Sequence, residues 1–83
     1  MPLFMDIHEH IPGLTAQAVA AAHQADLSIQ AKHNVTCLSY WFNERSGQVF
    51  CLIDAPNKEA AIAVHRESHG LVADRIVEVV EGT

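Results

Sequence analysis

Basic residues are scarce in this chain. Five Lys and Arg face ten Asp and Glu across 83 residues, for a formal net charge of −5. With no basic cluster there is no electrostatic footprint for a phosphate backbone, which argues against nucleic-acid binding. Long apolar runs are absent too; none approaches the roughly 20 residues of a membrane span. The first residues, MPLFMD, carry no positive stretch and meet an acid at Asp6, so they do not read as a signal peptide. Cysteine is limited to Cys37 and Cys51. That is too few for a disulfide framework or a cysteine-rich structural zinc site. A soluble, cytoplasmic protein is expected. No phosphate-binding glycine loop occurs, and Ser28, Ser39, Ser46 and Ser68 sit in no nucleophile elbow. No catalytic constellation emerges, although a His–carboxylate pair is available as an acid–base device.

What is present is apolar. Hydrophobic residues make up 49% and charged residues 18%, the latter below the roughly 25% of soluble domains. Residues 1–83 form a single domain, with neither linker nor repeat. A chain of this size buries only about 60% of its surface. It therefore carries more apolar material than a small monomer hides, and a homodimer is expected.

The elements follow from periodicity and punctuation. PLFMDIHEH alternates as a strand, with Phe4, Asp6, His8 and His10 on one face and Leu3, Met5 and Ile7 on the other. Pro12 and Gly13 end it, and Thr15 is placed to cap a helix over residues 16–33. The apolar stripe of that helix reads as Ala16, Val19, Ala20, Leu27 and Ala31. VTCLSYWF and QVFCLIDA are strands joined by NERSG. A second helix starts at the Asn57 cap and stops at Gly70, and DRIVEVV is the last strand. The order β-α-β-β-α-β predicts an α+β, ferredoxin-like fold: a four-stranded antiparallel sheet with both helices on one face.

The central hairpin is apolar on both sides. With Asn43 opposite Gly47, Val35, Cys37, Trp41, Val49, Cys51 and Ile53 share one face, and Leu38, Tyr40, Phe42, Phe50 and Leu52 the other. This register sets Cys37 opposite Ile53 and Cys51 opposite Ser39. A sheet with one wet face would alternate with polar residues instead, so the open face is expected to pack against a second copy.

Histidine is the conspicuous residue type. The topology brings His8, Glu9, His10, His65 and His69 to one end of the molecule and sends His33 to the other. His65 and His69, at i and i+4, share a helix face. His8 and His10 share a strand face with Asp6, whereas Glu9 points away. Imidazole with carboxylate suits zinc, copper, nickel or iron, and proton competition would fall near pH 6.5. The structural alternative stands beside this: a histidine in a last helical turn complements the helix dipole without any metal, and His8 and His10 can simply end a strand.

Several segments together, HEHIPGLT, YWF, FCLIDAP and VHRESHGL among them, make the chain resemble small actinobacterial nickel-binding proteins, a family also described as a domain of unknown function. The likeness covers nearly the whole chain. It implies a ferredoxin-like fold, a homodimer and Ni²⁺ binding, with no established enzymatic activity. Relatives also occur as modules of longer proteins, some labelled cyclases, a label that no motif here supports. The reading is a nickel-binding protein, or one for Zn²⁺ or Cu²⁺, serving sequestration or sensing. Its candidate ligands are His8 and His10, with His65 and His69 as further ligands or supports, and Asp6 and Glu9 as carboxylates. The alternative is a dimeric α/β-barrel enzyme of monooxygenase or isomerase type, its pocket lined by Tyr40, Trp41 and His65, with one histidine at the base of a deep cavity.

Overall fold

The computed structural model of the chain describes residues 1–82. In order, the elements are β1 (Leu3–His8), α1 (Ala16–Ile29), a 3₁₀ turn (Gln30–His33), β2 (Thr36–Asn43), β3 (Gln48–Asp54), α2 (Lys58–Ser68) and β4 (Arg75–Val79). The strands form one antiparallel sheet in the order β2-β3-β1-β4. This is the ferredoxin-like α+β arrangement that the element order predicts. Among the described residues, no helix is long and apolar enough to cross a membrane.

Local chemistry sets the element ends. The Ala18 amide donates to Thr15 Oγ1 at 3.1 Å and the Ala60 amide to Asn57 Oδ1 at 2.9 Å, so each helix has a first-turn donor satisfied by its cap. Gly70, at φ +78°, closes α2 by donating to the His65 carbonyl at 2.9 Å. Gly47 is at φ +80°, and a Cβ there would lie 2.9 Å from the Ile11 backbone. Only glycine permits that approach, which lets the Ile11 amide donate to the Gly47 carbonyl at 2.9 Å. The hairpin is thereby tied to the segment after β1.

Pairing decides what faces the helices. Phe4 lies opposite Ile53, Asp6 opposite Cys51, and His8 opposite Val49. These side chains point toward the helices, and the core is Phe4, Val35, Cys37, Ile53, Ala55, Ala61 and Val64. Met5 and Ile7 lie opposite Leu52 and Phe50 on the open face, joined there by Val77 of β4.

Two expectations are corrected and a third is qualified. Asn43 pairs with Gln48 rather than Gly47, and the ladder slips between Cys37 and Ser39. Cys37 still faces Ile53, but Ser39 faces Leu52 and Cys51 faces Tyr40. The extra residue reverses the phase of β2. Tyr40 thus joins Val49 and Cys51 beneath the helices, with Phe42 on the same side of the sheet but exposed, while Trp41 goes to the open face, 52% exposed. With both faces apolar, alternation carried no phase. Second, α1 stops at Ile29, and of its expected stripe only Val19 is buried; Ala16, Ala20, Leu27 and Ala31 are exposed. The inward face runs instead from Val19 to Asp26, seven residues on. Alanine packs tolerably on any side, so this helix leaves its own rotation open. Third, the turn that ends at His33 leads into the Leu3 end of the sheet, but His33 is not isolated there: Lys32 and His33 both pair with Glu67 in the last turn of α2.

Candidate metal centre

The end of β1 divides its candidate ligands. Phe4, Asp6 and His8 point under the helices, and the strand stops at His8. Beyond it the Glu9 amide donates to Asp74 Oδ2 at 2.7 Å, and the Glu9 carboxylate meets Arg75 at 3.1 Å. His10 Nδ1 lies 3.0 Å from the Ser46 carbonyl. Glu9 and His10 are exposed, bound to the β4 edge and to the hairpin. The strand does not continue to carry His10 inward beside His8, because the loop that Gly47 admits captures it first.

The buried polar cluster has its centre at His65, 1% exposed. Its Nδ1 lies 3.0 Å from Asp26 Oδ1. His69 Nε2, one helical turn on, is 3.2 Å from that same Asp26 oxygen and 3.2 Å from His65 Nδ1. Two imidazole nitrogens and one carboxylate oxygen therefore form a near-equilateral triangle. Ser68 Oγ donates to Asp26 Oδ1 at 2.5 Å. On the other side of the ring, His65 Nε2 lies 2.5 Å from Asp6 Oδ2, and Asp6 is fully buried. That contact is close but off the line of the ring N–H, so neither Asp6 oxygen nor His65 Nε2 has an aligned hydrogen-bond partner.

The charges follow from the placement. Burial on its own pulls His65 down, but the carboxylates of Asp26 and Asp6 outweigh it and lift the imidazole to about 9. Burial pushes Asp26 up, yet hydrogen bonds with His65, His69 and Ser68 carry it far below the usual carboxylate range. His8 is 6% exposed, with its ring edge-on to His65 at 5.9 Å and its Nε2 3.6 Å from Asp6 Oδ1. Burial lowers it, Asp6 only partly compensating, with His65 and His69 pushing the same way as burial. Cys51, Asp6 and His65 offer ligand atoms within 4.8 Å of one another. Burial, reinforced by Asp6, raises the Cys51 thiol well above its ordinary range, which makes it a poor thiolate donor.

The triangle has the donor spacing of a divalent ion, and His69 can offer Nε2 to one once the Leu71 amide, which donates to its Nδ1 at 3.1 Å, turns away. Bonds of about 2.1 Å at right angles put neighbouring donor atoms about 3.0 Å apart, against edges of 3.0, 3.2 and 3.2 Å here. Two histidines with one carboxylate on one triangular face leave the remaining positions open. Asp6 stands where a ligating histidine's other nitrogen characteristically finds a carboxylate, which fixes the ring and raises its basicity.

Of the residues singled out in the sequence, His65 and His69 are together in this triangle. Asp6 and His8 adjoin it, and His10 and Glu9 are elsewhere. Sequence reasoning missed Asp26. The available signal was its spacing of seven from Val19, which puts a carboxylate on the inward face of α1.

A pocket of about 130 Å³ opens beside the triangle, between α1 and the sheet. Leu14, Val19, Ala22, Val49 and Leu71 line its apolar part, and Asp26, His65, His69 and His8 its polar end. His23 and Tyr40 stack along one wall, ring centres 4.7 Å apart. Tyr40 and His65 thus line a pocket as the enzymatic alternative anticipated, whereas Trp41 does not.

No curated protein matches the chain. Among solved structures it is similar to SCO4226 from Streptomyces coelicolor A3(2), with 38% identity and a TM-score of 0.89 over 98% of this chain and 99% of that one. The family model described as "Nickel responsive protein SCO4226-like" matches residues 4–79. A match over nearly the whole fold, on top of the resemblance in its histidine-bearing segments, places the chain in the SCO4226-like nickel responsive protein family.

Proposed function

We propose that this protein binds nickel, or a similar divalent transition metal, through Asp26, His65 and His69, for sequestration or sensing. The observation that carries the reading is the triangle of two imidazole nitrogens and one carboxylate oxygen, with edges of 3.0 to 3.2 Å. The family's nickel-responsive description supports the choice of metal. Asp26 supplies the charge, and Ser68 orients it. His65 presents Nδ1 while Asp6 lies against the opposite side of its ring. The bound ion would supply a +2 charge that offsets two buried carboxylates now sharing one imidazolium. Titration calorimetry on tag-free protein with Ni²⁺, Zn²⁺, Cu²⁺ and Co²⁺ tests this. Copper should bind most tightly and nickel at least as well as zinc. Nickel binding untouched by Asp26→Ala would overturn the assignment.

The reading includes a homodimer that covers the open sheet face. Trp41 and Val77 are 52% and 44% exposed there, and apolar residues gathered on one face usually mark an interface. The enzymatic alternative called for a single histidine at the base of a deep cavity. Four histidines and Asp26 line this pocket, and the metal reading accounts for the pairing of His65 and His69 with Asp26.

A further inference from the structure

The pocket is more apolar than a metal site requires. An ion held by Asp26, His65 and His69 needs only those donors and water, yet Leu14, Val19, Ala22, Val49 and Leu71 enclose a space of about 130 Å³ that runs up to them. That volume is close to the roughly 150 Å³ in which an apolar cavity accepts a single benzene ring. The wall formed by His23 and Tyr40 adds aromatic surface suited to a flat partner. Three protein donors on one face leave adjacent positions of a four- to six-coordinate ion to outside ligands.

We propose that the pocket takes a single-ring aromatic carrying two neighbouring oxygen donors, a catechol, with its ring against Val19 and Ala22 and its oxygens toward the metal held by Asp26, His65 and His69. This rests on the metal reading above. Charge makes the two bindings depend on each other. Without the ion, the buried carboxylates of Asp26 at the pocket's polar end and of Asp6 behind His65 repel an anionic oxygen donor. With it, the balance at that end of the pocket turns favourable, so metal and catechol each strengthen the other's binding.

The probes are catechol, acetohydroxamate (the same paired oxygens without a ring) and toluene (a ring without oxygens). Each is titrated by calorimetry into whole protein loaded with one equivalent of Ni²⁺, under anaerobic conditions, and into nickel-free protein. Nickel is measured in the protein fraction after gel filtration. The expected result is catechol binding at least tenfold tighter to the nickel-loaded form, tenfold tighter than acetohydroxamate, with nickel retained. Ala22→Phe should keep the nickel isotherm and lose catechol at least tenfold. Should that variant not fold, Leu71→Trp at the rim, where Leu71 is 46% exposed, serves the same purpose. Catechol that strips nickel from the protein overturns the inference. So does acetohydroxamate binding as tightly as catechol, or catechol affinity unchanged in the filled variant. A normal nickel isotherm with no catechol binding sinks this inference alone. Nickel binding that ignores Asp26→Ala sinks the metal reading, and the catechol site with it.

Discussion

His65 has an acid beside each ring nitrogen, and its proton is therefore the competitor that any metal must displace. A ligating imidazole has to be neutral. Since Asp26 and Asp6 lift His65 to about 9, nickel affinity should fall about tenfold for each pH unit below that value, rather than near the ordinary 6.5. Calorimetry from pH 6 to 9 measures the slope, and a curve flat above pH 7 would count against it. The same shift acts on the metal-free fold. A histidine raised in the folded state stabilises it fully below the unfolded value of about 6.5, and that contribution is lost as pH climbs through about 9. The loss is on the order of 3 kcal/mol, read as a drop in the urea midpoint between pH 7 and 10. Asp6→Asn tests the ring's support. It should cost 10- to 100-fold in nickel affinity, and an unchanged isotherm would remove Asp6 from the site.

At the scale of elements, the hairpin and α1 do the positioning. Gly47→Ala would drive a Cβ to 2.9 Å from the Ile11 backbone at a positive φ. It should destabilise the protein by about 1–3 kcal/mol and release His10 from Ser46; a urea midpoint equal to wild type would show that the contact is dispensable. Strands, helices and caps were legible because Thr15, Asn57 and Gly70 are strong local signals with one physical meaning each. Also legible was the pairing of His65 with His69, set by helical spacing. Two phases were not. A hairpin apolar on both faces gives no hint of the slip between Cys37 and Ser39, so the inward set of β2 was misassigned. An alanine-rich helix does not announce its rotation, so the inward placement of Asp26, which is 3% exposed, was not legible. The extension of the first strand to His10 failed for a third reason: where a strand ends depends on what captures the chain next, here Asp74 and Ser46, which are distant in sequence.

For the whole molecule, the sheet separates two roles. One face buries a polar cluster under the helices, and the other leaves Trp41 and Val77 uncovered. Light scattering at micromolar concentration should give twice 9.1 kDa, and Trp41→Asp should give the monomer mass, since a charge at the interface would be buried unpaired. A wild-type monomer would leave the open face without its proposed cover. The thiols fit the same division. Burial, with smaller contributions from Asp26 and Asp6, pushes Cys37 up to about 12, so it should label slowly in the folded protein at neutral pH. The central claim is that nickel is held by Asp26 and the α2 histidines rather than by the end of β1. Titration calorimetry of Asp26→Ala, His69→Ala and His10→Ala beside wild type decides it. The account predicts nickel affinity reduced at least tenfold in the first two and unchanged in His10→Ala. Loss of affinity in His10→Ala with His69→Ala at the wild-type value would contradict it.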